Sequence, residues 1–207
     1  MNVTLIGSGN MGSALAKQIS RTSHSLVITG RNAARASELA RAVGATFKDK
    51  AAAEGADIVI LATAYGEAIA ALRSAGELNG KVIVDITNPL TPDYMGLTLG
   101  HTTSAAEEIQ KAFPRARVVK AFNTVFAQVL GGGPELAGQT VPVYFAGDDA
   151  AARETVRSLI QGIGFAPVDA GPLKNARYLE PLAGLNVYFG YGAGLGTAIT
   201  PAWIGIR

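Results

Sequence analysis

The 207-residue sequence has no cysteine. That excludes disulfides, a thiol nucleophile and cysteine-ligated metal, and it fits a reducing compartment. Histidine is scarce too, with two in the chain. His24 falls in a polar turn and His101 in a loop, so both read as solvated surface. Without clustered acids, no histidine-based metal site is expected. Charge is sparse: 16% of residues are charged and the net charge is +2. No basic stripe with interleaved aromatics occurs, which leaves nucleic acid without support as a partner. The first apolar run, Val3-Thr4-Leu5-Ile6, is short and leads into a glycine turn, so it does not read as a signal peptide, and the cytoplasm is the expected location. Apolar residues are plentiful. The hydrophobic set reaches 48%, which at this length gives one globular domain, or one with an appendage, and a sizeable core.

The stretch Gly7-Ser8-Gly9-Asn10-Met11-Gly12 organises the reading. It follows an apolar run and opens a small-residue helical pattern, which is the strand, turn and helix that a dinucleotide site requires. Gly7 permits the tight turn, Gly9 lets the backbone approach a pyrophosphate, and Gly12 allows close helix–strand packing. The diphosphate is expected on the free N–H groups at the helix N-terminus. Ser25 to Thr29 reads as a second strand, and the residues at its end select the cofactor. NAD sites place an acid about 20 residues past the first glycine. Here Thr29-Gly30-Arg31-Asn32 stands there instead. Thr29 and Asn32 can donate hydrogen bonds to a 2′-phosphate, and Arg31 supplies a planar cationic fork, with Arg35 one turn further on. NADP is therefore expected. In the competing reading Asn32 merely caps a helix from Ala33 to Val43 and Arg31 is solvated.

Further strands are expected at Ala45–Phe47, Asp57–Ala62, Lys81–Ile86, Arg117–Phe122, Val141–Ala146 and Phe165–Val168, alternating with helices. Such alternation predicts an α/β fold, a Rossmann-type doubly wound parallel sheet. Strand ends on the carboxyl side face the ligand crevice, so Ala62, Thr63 and Tyr65 are candidate walls for the ribose and nicotinamide, with Tyr65 packing on the dinucleotide. Asn88-Pro89 lies at the same edge after the next strand. The loop Thr91 to Thr103 lacks periodicity and is a candidate cover. Ser104 to Glu107 reads as a capping box and Asp148-Asp149 as a helix start.

The tail from Pro181 to Ile206 contains no charged residue. Its length suits a bilayer span, but its glycine density argues against one. A helix from about Leu173 to Phe189 is expected, then a loop packed on the core or on a second subunit. This divides the chain into a Rossmann domain at 1–172 and a short helical and loop tail at 173–207, with a homodimer expected.

Several stretches together resemble one family, the NADPH-dependent deazaflavin (coenzyme F420) oxidoreductases and the reductase domain of STEAP-type metalloreductases. They are Gly7 to Gly12, Thr29-Gly30-Arg31, Asp85 to Leu90, Ser104 to Glu108 and Val118-Val119-Lys120-Ala121-Phe122-Asn123-Thr124, then Ala146 to Asp149, Asp169 to Leu173 and Leu179 to Leu182. The resemblance implies hydride exchange between NADP and a flavin (FMN or FAD) or coenzyme F420 stacked on the nicotinamide. Such chemistry asks little of side chains. It implies that Asn123, Thr124 and Val125 lie beneath the reacting rings as catalytic residues, beside Ala121, with Asn88 and Pro89 opposite. Members that use the deazaflavin often carry His where this chain has Asn123, and the Asn is more like the flavin-using relatives. Electron transfer onward to ferric iron is a further implication. Two alternatives stand beside this reading. One is a reductase of a small imine or hydroxy acid, since Gly7 to Ala14 also resembles the pyrroline-carboxylate reductases, although their long C-terminal helical domain has no counterpart here. The other is a non-enzymatic NADP sensor.

Overall fold

Short apolar runs bounded by glycine and polar residues become strands, and the amphipathic stretches between them become helices. The computed structural model describes residues 1–205 and opens with β1 (Asn2–Ile6), α1 (Asn10–Ile19), β2 (Ser25–Thr29), α2 (Ala33–Val43) and β3 (Thr46–Phe47). Next come β4 (Ile58–Leu61), α3 (Ala68–Ser74), β5 (Val82–Asp85), α4 (Ala105–Ala112) and β6 (Arg117–Ala121). The chain continues through α5 (Ala127–Gly132), a small hairpin of β7 (Glu135–Leu136) and β8 (Gln139–Thr140), β9 (Pro142–Gly147), α6 (Ala150–Gly162), β10 (Ala166–Asp169) and α7 (Ala176–Val187). Ile206 and Arg207, which end the uncharged tail and the expected 173–207 segment, lie outside the described residues.

Eight strands form one sheet in the order β10-β9-β6-β5-β4-β1-β2-β3. From β3 to β6 every neighbouring pair is parallel, which is the doubly wound Rossmann arrangement that the alternating pattern predicts. The parallel run stops at β9, which pairs antiparallel with β6 and then parallel with β10. Residues 122–141, which hold α5 and a small hairpin, deliver the chain to β9 at the end where β6 stopped, so Ala121 pairs with Phe145 and Val119 with Gly147. The β7–β8 hairpin in that connection was not legible as strand.

Helices cover both faces. In β4 all four residues are buried: Ile58 and Ile60 join the core that includes residues of α1, α2 and α6, while Val59 and Leu61 join that of α3 and α4. Alternation along a strand sends successive side chains to opposite faces, so a strand covered on both sides is apolar throughout. Each such side chain contributes about 1.5–3 kcal/mol when fully buried.

The C-terminal part begins with a 3-10 turn at Leu173–Asn175, passes into α7 and ends in a π-helical turn at Tyr188–Gly192, close to the expected helix. The tail then folds back on the core. Trp203 meets Tyr144 of β9 edge-on, with ring centroids 5.1 Å apart. The loop from Thr91 to Thr103 packs Leu97 towards Gly184 of α7. Among the described residues no helix is long and apolar enough to cross a membrane.

Candidate active site

Parallel strands bring Ile6, Leu61, Asp85 and Lys120 into one register, so the turns after β1, β4, β5 and β6 share one edge of the sheet. At the β1 end the backbone itself makes the site. Gly7 sits at φ +118°, and a Cβ there would lie 2.2 Å from the Ala62 carbonyl oxygen. A Cβ on Gly12 would lie 2.0 Å from the carbonyl oxygen of Gly7. Both positions admit only glycine. Around Gly9 there is open space. A side chain caps the N-terminus of α2, α4 and α6, from Asn32, Ser104 and Asp149 respectively; α1 starts at Gly9 without one, as α3, α5 and α7 also start without one, and has no acid in its first turn. The first N–H groups of α1 therefore remain available to an anion. Ser8 is buried in this turn, and Asn10 and Met11 begin the helix, with Met11 resting on the core. These features fit a dinucleotide diphosphate.

Thr29 is buried at the end of β2, and its carbonyl accepts the Gly7 N–H at 2.8 Å. Asn32 Oδ1 accepts the Arg35 N–H at 3.0 Å, so the capping role is real and engages the side-chain oxygen. Arg31 is well exposed and pairs at 3.1 Å with Glu67, which stands in the turn after β4. Arg35 is exposed in the first turn of α2. Ala62 lies under both glycines, Thr63 Oγ donates to the Ala64 carbonyl at 3.1 Å, and Tyr65 opens a 3-10 turn. Burial pushes the Tyr65 hydroxyl pKa up, and Glu108, Glu180 and Asp85 push it further, against a smaller opposing effect of Lys120.

The β5–β6 end is made by side chains. Asn123 Nδ2 donates to Asn88 Oδ1 at 2.9 Å and to the Leu179 carbonyl at 3.0 Å, and Asn88 Nδ2 returns a bond to the Asn123 carbonyl at 2.9 Å. Asn186 of α7 donates to the Thr124 carbonyl at 3.1 Å. Phe122, just before this pair, is fully buried at φ +62°, a left-handed conformation that a phenylalanine adopts only when its surroundings impose it. Asn123 Oδ1, Thr124 Oγ1 and Thr87 Oγ1 are buried and lack partners. Such atoms fit a polar ligand group on this edge. Asn88, Pro89, Ala121, Asn123, Thr124 and Val125 are thus brought together, while Arg31, Asn32 and Arg35 form a separate exposed group at the other end.

Beneath the asparagines lies a cluster that sequence reasoning gave no role. Lys120 is fully buried, and its ammonium donates to Asp85 Oδ2 and Glu180 Oε1, each at 2.8 Å, and to the Thr87 carbonyl. Asp85 Oδ1 accepts the Thr87 N–H at 2.9 Å. The Glu180 carboxylate accepts the Ala105 and Ala106 N–H groups of α4 at 3.0 and 3.3 Å. Burial opposes the charge on Lys120, but the two carboxylates outweigh it and hold its pKa above the ordinary lysine value. A single Asp in the apolar run of β5 and a single Lys in that of β6 were the available signal; neither the third partner nor Glu67 could be read without the fold.

Strand order and glycine turn define a Rossmann-type α/β fold. The chain belongs to the family described as NADP oxidoreductase, coenzyme F420-dependent, whose model matches residues 2–89. Metalloreductase STEAP3 of Rattus norvegicus is 33% identical over 182 residues, covering 87% of this chain and 36% of that protein. The chain thus spans about a third of the length of the metalloreductases it matches. The F420-dependent NADP reductase of Methanothermobacter marburgensis is 28% identical over 87% of this chain and 88% of its own. A crystal structure from Arthrobacter sp. FB24, described as that of a candidate F420-dependent NADP reductase, superposes with a TM-score of 0.85 at 30% identity, covering 97% of this chain and 99% of its own.

Proposed function

We propose that the protein binds NADPH along the carboxyl edge of its sheet and transfers a hydride between the nicotinamide and a flavin or deazaflavin stacked on it. The observation that carries this reading is the contrast between the two ends of the edge: an uncapped helix under a glycine-rich turn, and a polar floor of Asn88 and Asn123 whose neighbouring charges are all engaged with one another. Bound NADPH supplies the hydride, so the chain's task is to bind, orient and exclude water. The N–H groups of α1 receive the diphosphate. Thr29, Arg31, Asn32 and Arg35 hold the 2′-phosphate, with the asparagine acting through its amide nitrogen. Ala62, Thr63 and Tyr65 form the wall. Asn123, Thr124 and Val125 support the rings, facing Asn88 and Pro89.

Residues 1–172 act as the nucleotide-binding unit. The segment from 173 onwards acts as a cover, because α7 supplies the Leu179 carbonyl, Glu180 and Asn186 to the far end of the edge. The exposed apolar side chains Tyr178, Leu185, Tyr188, Tyr191 and Leu195 on α7 and the tail support a homodimer through that face, and the cysteine-free chain suits the cytoplasm. Similarity to metalloreductases supports ferric iron as a further electron acceptor.

The test is loss of NADPH absorbance by purified protein with FMN, FAD, riboflavin and the deazaflavin supplied separately. Turnover with the deazaflavin alone names the acceptor despite Asn123; turnover with ordinary flavins alone, followed by ferric iron reduction, places the chain with the flavin and ferric reductases. Tight NADPH binding without turnover on any of them overturns the reading in favour of an NADP sensor.

A further inference from the structure

We propose that the buried Asp85–Lys120–Glu180 cluster makes the protein discriminate between the redox forms of the nicotinamide, favouring the oxidised, positively charged ring. The inference rests on the nucleotide reading above and concerns the charge of the floor beneath it.

A neutral pair would satisfy Lys120. The structure instead sets two carboxylates against one ammonium, all three at or near zero exposure. The three donors of Lys120 are used by Asp85, Glu180 and the Thr87 carbonyl, and the remaining carboxylate contacts are neutral N–H groups of Thr87, Ala105 and Ala106. No second cation reaches the cluster among the described residues, since Arg177, the next base along α7, is engaged with Glu107 at 2.6 Å. The N-terminus of α4 offsets part of the excess, on the order of half a charge. A net negative charge remains, held in a medium that screens it poorly.

This charge is coupled to the edge. Thr87, bonded to both Asp85 and Lys120, immediately precedes Asn88, and Lys120, near the end of β6, stands three residues before Asn123 in the turn that follows. Three buried oxygens there, on Thr87, Asn123 and Thr124, have no partner. Glu108, Glu180 and Asp85 also add to burial in raising the Tyr65 hydroxyl, against the opposing effect of Lys120. When the neutral dihydronicotinamide gives up a hydride, a hydrogen nucleus with two electrons, to a flavin or deazaflavin, the ring left behind carries one positive charge. A fixed excess of negative charge stabilises that product relative to the reactant. The protein therefore binds NADP+ better, relative to NADPH, than it would over a neutral floor, and the hydride leaves more readily.

Direct binding without any acceptor tests this. NADP+, NADPH and 2′,5′-ADP are titrated by calorimetry into the wild type, Glu180→Gln and Asp85→Asn. Each substitution removes one negative charge far from the 2′-phosphate end. The expected result is a Kd ratio, NADP+ over NADPH, raised roughly three- to tenfold in both variants, with 2′,5′-ADP binding unchanged. An unchanged ratio in a variant that still binds 2′,5′-ADP overturns the proposal. If the buried substitutions abolish 2′,5′-ADP binding through misfolding, Glu108→Gln decides. That half-buried residue keeps its bond from Thr103 as a glutamine; a shift of about twofold in the same direction is expected, and no shift overturns the idea. Failure of the wild type to bind either nucleotide would sink the functional reading itself, a separate outcome.

Discussion

The two ends of the strand edge are built on opposite principles. At β1 the site is backbone: two glycines whose missing Cβ atoms leave room for carbonyl oxygens, and helix N–H groups that no side chain occupies. At β5 and β6 it is side chain: a reciprocal Asn88–Asn123 pair resting on a buried ionic cluster, with a third partner reaching in from α7. A backbone site is a property of a few consecutive residues and tolerates almost nothing. A side-chain site is assembled from residues up to 95 positions apart, Asp85 and Glu180, and its strength depends on every member being present.

The comparison is broken most sharply at the first end. Gly12→Ala forces a Cβ to within 2.0 Å of the Gly7 carbonyl, and a loss of about 4 kcal/mol or more in folding stability is expected, with NADPH binding abolished. Urea denaturation and nucleotide titration measure the two effects; retention of tight binding would show that the turn can open. At the second end, Lys120→Met leaves Asp85 and Glu180 buried without a cation. A destabilisation of about 3–5 kcal/mol is expected from the denaturation midpoint, and a value near zero would mean the pair is dispensable to the fold. Asn123→Ala is milder. It removes the bonds to Asn88 and Leu179, for about 1–2 kcal/mol. Turnover should fall roughly tenfold with little change in NADPH affinity, and a loss confined to affinity would reassign the residue to binding.

Such a difference in construction decides what could be read in advance. The turn, the strand ends and the doubly wound order were legible because each follows from local glycine spacing and apolar periodicity. The caps at Asn32, Ser104 and Asp149 were legible for the same reason, as each bonds an N–H three residues on. The reversal of β9 was not, since nothing in its own apolar run says which neighbour it pairs with or in which direction. Nor was the Lys120 cluster, because nothing local to Glu180 says that α7 will bring it to β6. The resemblance pointed to the stretches holding Asp85, Lys120 and Glu180 without saying that they meet.

The smallest effects sharpen the contrast at the exposed end. Arg31 pairs with Glu67 while both remain largely in solvent, so the bond is weak and easily exchanged. Arg31→Ala should weaken NADPH binding about fivefold and leave NADH unaffected. Glu67→Gln, by freeing the guanidinium, should tighten NADPH binding about twofold. Fluorescence titration at low and high salt checks both, and an equal loss of NADH binding in Arg31→Ala would place the arginine over the adenine instead.

The outer strands of the sheet bear on a different matter, how the protein behaves when crowded. β3 is two residues long, and β10 carries Pro167, which has no N–H to offer, beside Asp169, which Arg153 and Arg157 hold at 3.4 and 3.3 Å. Neither margin presents the open row of backbone groups on which fibrils grow. Copies meeting at high concentration find no template for ribbon-like polymerisation. In the homodimer proposed above, what copies share instead is the set of exposed apolar side chains on α7 and the tail, a patch that closes on itself once two molecules cover it.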